Sequence, residues 1–283
     1  MALPTIHNSA RERLARGEVS LGFGVRTARS VEIAKAMKTA GFDWLFLDLE
    51  HSAMSIETAA QLAIAGLDAG ISPIVRVPKG EYSLATRLLD GGALGIVVPH
   101  VDTAAEAREI ADRLRYPPLG HRGVFSSMPH FDYRGVKAAE MTAALNAANL
   151  IVVMLETPAA IDNADAIAAV DGIDVLLIGT NDLCIELGVP GELAHPKAED
   201  AYRRMVAACR AHGKWPGMGG VYDEPLMRRY VELGCRFLMA GADLAFMMGA
   251  GAKRTEFLRG IALPPLSALA GRGGAGTVLD QMR

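Results

Sequence analysis

The chain has 283 residues, 51% of them hydrophobic, and a formal net charge of −3, which is ample apolar material for one large core. No basic stretch points to nucleic acid. No apolar run reaches the roughly 20 residues that span a bilayer, and the charged N-terminus MALPTIHNSARERLARGE lacks the apolar centre of a secretory signal, so no membrane partner is expected.

In chain order, LGFGV at 21–25 reads as a first strand, and SVEIAKAMKTA at 30–40 has the apolar spacing of a helix that Gly41 is placed to end. WLFLDL at 44–49 is a second strand, followed by Glu50 and His51, and SIETAAQLAIAGLDA at 55–69 is a helix stopped by Gly70. PIVRV at 73–77 carries Arg76; a short helix at 83–90, the strand GIVVP at 95–99 and an amphipathic helix at 103–115 follow. The rhythm then breaks at 116–135, YPPLGHRGVFSSMPHFDYRG, where aromatic and basic residues predict an ordered segment covering the functional site. A helix at 137–148 leads into IVVMLETPAAIDNADAIAAVDGIDVLLIGTND at 151–182: strand, Pro-started helix, strand, Gly-rich turn. An irregular stretch is expected at 183–199, then a helix at 200–212, a Gly-rich strand at 215–221, a helix at 224–233, a strand at 237–241 and a last helix at 244–261. The tail from about 264 is rich in Pro and Gly and is expected to be loosely ordered.

Eight strands alternating with helices predict a single-domain (β/α)8 TIM barrel over residues 1–283. No GxGxxG follows the first strand, which disfavours an open dinucleotide-binding sheet, and no internal repeat is present. The three cysteines, Cys184, Cys209 and Cys235, show no CxxC spacing and read as reduced thiols of a cytoplasmic protein. Cys184 lies close to Asp182 in sequence, but packing is its expected role.

In such a barrel, chemistry sits where the strands end. Polar residues at or near those ends are Asp48, Glu50, His51, Arg76, Asp90, His100, Glu156, Gly179, Asn181 and Asp182. The strand–helix–strand unit at 151–182 must be parallel, so Glu156 and Asp182 share one edge, where two carboxylates can seat a hard cation. An arginine can grip a carboxylate through paired hydrogen bonds, and a histidine can move a proton near neutral pH. Each residue also has a plain structural reading: Asp48 as a buried acid bonded to its neighbours, Asp90 as a helix end, Glu156 and Asp182 as helix caps.

These stretches, FDWLFLDLEHSAMS, PIVRVP, LLDGGALGIVVPHV, EAREIADRLRYPPLGHRG, VMLETPAAIDN and LLIGTNDLCIELG, resemble the metal-dependent (class II) pyruvate aldolases of the HpcH/HpaI family over most of the chain. The resemblance implies a divalent metal (Mg2+, Mn2+ or Co2+) on Glu156 and Asp182. It implies Arg76 holding the oxoacid, His51 and Asp90 in proton transfer with Asp48 beside them, and Gly179 and Asn181 facing the oxoacid. Ser126, in the segment after RYPPLGHRG, would face the aldehyde. Thr180-Asn181 stands where many relatives have Pro-Ala, so the carboxylate pocket is expected to differ. The partners implied are a small 2-oxoacid and an aldehyde, produced by retro-aldol cleavage of a 4-hydroxy-2-oxoacid in aromatic or sugar-acid catabolism. The assembly implied is a homo-oligomer, a hexamer built from dimers that exchange the last helix. The alternatives are an acyl-CoA lyase of the citrate or malyl-CoA type on the same barrel, and a non-catalytic binding barrel. A Schiff-base aldolase would need a buried lysine, and the nearest, Lys79, follows Pro78 in a turn.

Overall fold

The computed structural model describes residues 5–265. Eight parallel strands, β1 (Ser20–Val25), β2 (Trp44–Asp48), β3 (Ser72–Arg76), β4 (Gly95–Val98), β5 (Leu150–Leu155), β6 (Val175–Gly179), β7 (Trp215–Gly219) and β8 (Phe237–Ala242), pair in sequence order. β1 pairs with β8 through Ser20↔Phe237, Leu21↔Leu238 and Gly22↔Met239, which closes the barrel. A helix follows each of the first seven strands and returns antiparallel to it. The strands therefore start at one edge of the barrel and end at the other, and every interstrand helix finishes at the starting edge.

Alternation along the strands sorts the side chains. Leu45, Leu47, Val75, Ile96, Val98, Ile151, Val153, Ile178 and Leu238 are buried between sheet and helices. Trp44, Phe46, Ile74, Val97, Leu150, Val152, Met154, Val175, Leu177, Phe237 and Met239 fill the barrel interior. Each fully buried large apolar side chain contributes about 2 kcal/mol by its removal from water. Trp44 occupies space that only a glycine leaves open, because a Cβ on Gly22 would lie 2.3 Å from its ring. The indole stacks on Phe237 with centroids 4.1 Å apart.

The starting edge is covered by a helix that the sequence reading did not anticipate, Ser9–Ala15. Its Ala10 and Leu14 join the interior core. Asn8 caps it by accepting from Arg11 N–H at 3.1 Å, and donates to the carbonyls of Leu94 and Ala148, each just before a strand or its lead-in. Arg11 pairs with Asp174, which also takes Arg115.

Two other local expectations are corrected. The helix after Glu156 is two short helices, Pro158–Asp162 and Ala164–Ala168, hinged at Asn163. The stretch expected to be irregular at 183–199 contains the end of a helix, Thr180–Glu186, and the start of another, Pro196–Ala211. By contact density the chain divides into two compact units, one ending at Leu244 and one beginning at Ala245. The second unit holds most of the helix Asp243–Arg259 and carries exposed Phe246, Met247, Met248, Phe257 and Leu258. The expected tail lies almost wholly outside the described residues. Among the described residues, no helix is long and apolar enough to cross a membrane.

Candidate active site

The inward positions of the interior continue by twos into polar residues at the strand ends. Phe46 leads to Asp48, Ile74 to Arg76, Met154 to Glu156, and Leu177 to Gly179. Asp48 and Arg76 are opposite each other in the β2–β3 register. Arg76 Nε and Nη2 donate to the two carboxylate oxygens of Asp48 at 3.0 and 2.6 Å, a bidentate pair. Arg76 Nη1 lies 3.1 Å from Glu50 Oε2, which leaves N–H groups of its terminal nitrogens for a ligand. Asp48 is fully buried and also accepts from Arg26 Nε at 3.1 Å and from the main-chain N–H groups of Glu50 and His51. Burial alone would raise the Asp48 pKa, but the Arg76 hydrogen bond and charge, the His51 N–H and Arg26 outweigh it, and the carboxyl is held below its ordinary value.

On the opposite wall, Glu156 is 1% exposed. One carboxylate oxygen accepts from His100 N–H at 2.8 Å and lies 3.1 Å from His100 Nδ1. His100 adopts a left-handed backbone, φ 54°, and its carbonyl accepts from Lys79 Nζ at 2.6 Å. Burial raises the Glu156 pKa and the neighbouring Asp182 charge adds to that rise, only partly offset by His100 and Arg76. Gly179 leaves the room Glu156 needs: a Cβ there would lie 2.3 Å from its carboxylate oxygen. Asp182 is exposed in the first turn of Thr180–Glu186, and its carboxylate has no hydrogen bond or ion pair among the described residues. The Thr180 hydroxyl bonds the Tyr202 hydroxyl at 2.7 Å and donates to the Gly219 carbonyl at 2.6 Å. The Thr180 side chain is therefore committed to packing rather than to a ligand.

Between these walls lies a cavity of about 180 Å3. Phe46, Met154, Leu177 and Met239 give it an apolar floor, and Arg26, His51, Arg76, Asn181, Asp182 and Tyr222 give it a polar rim. Among the described residues, no group of three or more His, Cys, Asp or Glu is arranged to hold a metal. The donor set for a cation is the pair Glu156 and Asp182. It fits a divalent ion chemically: two carboxylates of like charge, one buried, neither paired with an arginine or lysine among the described residues.

The sequence-predicted residues divide. His51, Arg76, Gly179, Asn181 and Asp182 line the cavity, and Glu156 stands against Gly179. Asp48 does not line it and acts through the arginines it holds. Asp90 is not brought to this edge. It ends the helix Tyr82–Asp90, which returns to the starting edge of the strands, and it pairs there with buried Arg122 at 2.6 Å. The segment 116–135 also packs at that edge: His130 Nε2 bonds the Ala93 carbonyl, and Tyr116, Met128 and Phe131 form a small core with Met141 and Leu145. Within one chain it does not cover the cavity, and Ser126 is exposed there. Cys184 is buried beside Val189 and Ala198. Lys79 is engaged by His100 and Glu106.

Arg26 and Tyr222 were not anticipated. Arg26 directly follows β1 and continues the inward series Gly22, Gly24; the two glycines hide the alternation that would have marked it. Its loop is held by Asp243, one of whose carboxylate oxygens accepts from the N–H groups of Arg26, Thr27 and Ala28 at 3.1, 2.7 and 2.7 Å.

Comparison with known proteins adds a lineage to this geometry. The HpcH/HpaI aldolase/citrate lyase family matches residues 26–249. A 4-hydroxy-4-methyl-2-oxoglutarate aldolase of Chaetomium globosum is 37% identical over 240 residues, covering 83% of this chain and 89% of that protein. A hydroxypyruvate/pyruvate aldolase of Pseudomonas aeruginosa is 36% identical over 249 residues, covering 88% and 91%. The crystal structure of an HpcH/HpaI aldolase from Desulfitobacterium hafniense DCB-2 superposes with a TM-score of 0.84 at 30% identity, covering 89% of this chain and 97% of that one.

Proposed function

The chain belongs to the HpcH/HpaI aldolase/citrate lyase family, and from that premise we propose that it is a carbon–carbon lyase, a metal-dependent aldolase cleaving a 4-hydroxy-2-oxoacid to pyruvate or hydroxypyruvate and an aldehyde. The carrying observation is the division of charge across the cavity. Arg76 and Arg26 are matched by Asp48 and Glu50 on one wall, whereas Glu156 and Asp182 on the other have, among the described residues, no arginine or lysine paired with them, and Glu156 meets only His100. The small volume suits an oxoacid of a few carbons, below the range usual for drug-sized ligands.

Glu156 and Asp182 would hold the divalent ion, and when bound it supplies positive charge that offsets the negative charge developing on the oxo oxygen as the C3–C4 bond breaks. Arg76, fixed by Asp48 and Glu50, orients the oxoacid through its remaining N–H groups. The apolar floor packs the C3 carbon and excludes water from it. His51, half-exposed at the rim, takes the proton from the C4 hydroxyl in cleavage and returns a proton to C3. The expected help of Asp90 would require Asp90 of a second copy, because its own chain carries it at the opposite edge. The exposed apolar side chains of the last helix support assembly into a homo-oligomer, and the three buried free cysteines support a reducing compartment such as the cytoplasm.

The test couples pyruvate release to lactate dehydrogenase and measures divalent-ion binding by calorimetry. Glu156→Gln should lose ion binding and reduce turnover by about a hundredfold or more. Full turnover after EDTA treatment would sink the proposal.

A further inference from the structure

We propose that His100 is a positioning residue for the ion-binding carboxylate. Its left-handed backbone, tied down by Lys79, commits one oxygen of Glu156 to the protein and leaves the other to a divalent ion. The proposal rests on the reading of Glu156 as an ion ligand. The geometry of His100 does not depend on it.

Among the described residues other than glycine, His100, Ser127, Asp132 and Tyr133 have a left-handed backbone, and the last three lie in the segment 116–135. Only His100 lies where a strand ends, and every other strand-to-helix connection of the barrel does without such a residue. A side-chain-bearing residue stays in that region where its surroundings hold it there. Both peptide groups of this one are held. The N–H donates to Glu156 Oε2 at 2.8 Å, and the carbonyl accepts from Lys79 Nζ at 2.6 Å. Lys79 is braced in turn by Glu106, 2.7 Å away, and Glu106 belongs to the capping box that starts the helix Ala104–Leu114. The next residue, Val101, donates its N–H to the Met154 carbonyl at 3.0 Å. Lys79 follows β3, His100 follows β4 and Glu156 follows β5, so three neighbouring strand ends are stitched together in ring order.

The consequence falls on the two oxygens of Glu156. Oε2 takes the His100 N–H and lies 3.1 Å from the ring Nδ1. Oε1 accepts no hydrogen bond among the described residues and lies against Gly179, 2.3 Å from where a Cβ would stand. A carboxylate free to turn offers a cation one oxygen or both. With Oε2 engaged, Glu156 presents Oε1 alone, toward the turn that leads to Asp182. The backbone of His100 does this sorting, because any residue that holds the left-handed turn keeps the N–H in place. Glycine enters that region freely, whereas a β-branched residue is strongly disfavoured there.

Calorimetric titration of ion-free protein with Mn2+, well below the thermal midpoint of every variant, tests the arrangement. His100→Gly should keep the Mn2+ Kd within about twofold of the wild type, since the N–H stays where it is. His100→Val should raise it by about tenfold or more, the loss of one hydrogen bond to a charged group. Lys79→Met, which leaves His100 itself in place, should raise it by about threefold or more. A wild-type Kd in Lys79→Met or His100→Val would overturn the proposal, even where the thermal midpoint falls, and leave His100 as a turn residue only. An equal loss in His100→Gly and His100→Val would also overturn it, by assigning the effect to the imidazole. Wild-type protein that binds no Mn2+ would refute the ion-ligand reading of Glu156 and the proposal with it. Wild-type binding that the variants leave untouched would refute the positioning role alone.

Discussion

Asp48 sits where two readings stood open, a buried acid bonded to its neighbours and an acid beside the proton-transfer pair, and its hydrogen bonds are those of the first. Its place in an apolar strand marks a special acid, and the β2–β3 register pairs it with Arg76, but every oxygen of its carboxylate is engaged by protein. Because its folded pKa is depressed, its contribution to stability is present above the unfolded value near about 4 and is lost as pH falls through the folded value. Urea unfolding should therefore show stability declining below about pH 4. Asp48→Asn should remove that part of the decline and cost about 3 kcal/mol at pH 7, by leaving Arg76 short of a counter-charge. An unchanged urea midpoint at pH 7 would contradict this account. At this scale Asp48, Arg76 and Glu156 were legible because alternation carries them inward from recognisable apolar positions. Arg26 was not, because Gly22 makes room for Trp44 and so shows no side chain to count.

Elements were legible where they are long and amphipathic, and less so where a short piece depends on tertiary contacts. Ser9–Ala15 has only 7 residues and in isolation would be marginal. It exists because Ala10 and Leu14 close the interior core and Asn8 answers two carbonyls of other segments. In the sequence its residues show only as part of a charged N-terminal stretch, because the partners that fix them are distant along the chain. Asn8→Ala should cost about 2 kcal/mol, combining a lost cap with unpaired buried carbonyls. The thermal midpoint should fall while kcat at a permissive temperature stays at the wild-type value, since the cavity is at the other edge. A fall in kcat with an unchanged midpoint would refute the separation. The same logic explains Asp90 and the segment 116–135: the rule that chemistry lies at strand ends does not extend to helix ends, which lie at the opposite edge.

For the whole molecule, the ring of eight strands followed from the alternation of elements, whereas its assembly does not follow from one chain. The last helix presents Phe257 and Leu258, 66% and 54% exposed, next to other apolar side chains. A protein that buries them between copies should lose mass in light scattering when both are replaced by aspartate, and a double variant of unchanged mass would refute that use of the helix. Asp243, directly after the last strand, holds the loop after the first. On a ribosome, where chains emerge from the N-terminal end, the loop carrying Arg26 is among the earliest segments exposed and among the last to find its partner. Until Asp243 leaves the exit tunnel, a nascent barrel lacks both its closing strand and the anchor of that loop, so ligand can neither select nor stabilise an unfinished chain through Arg26.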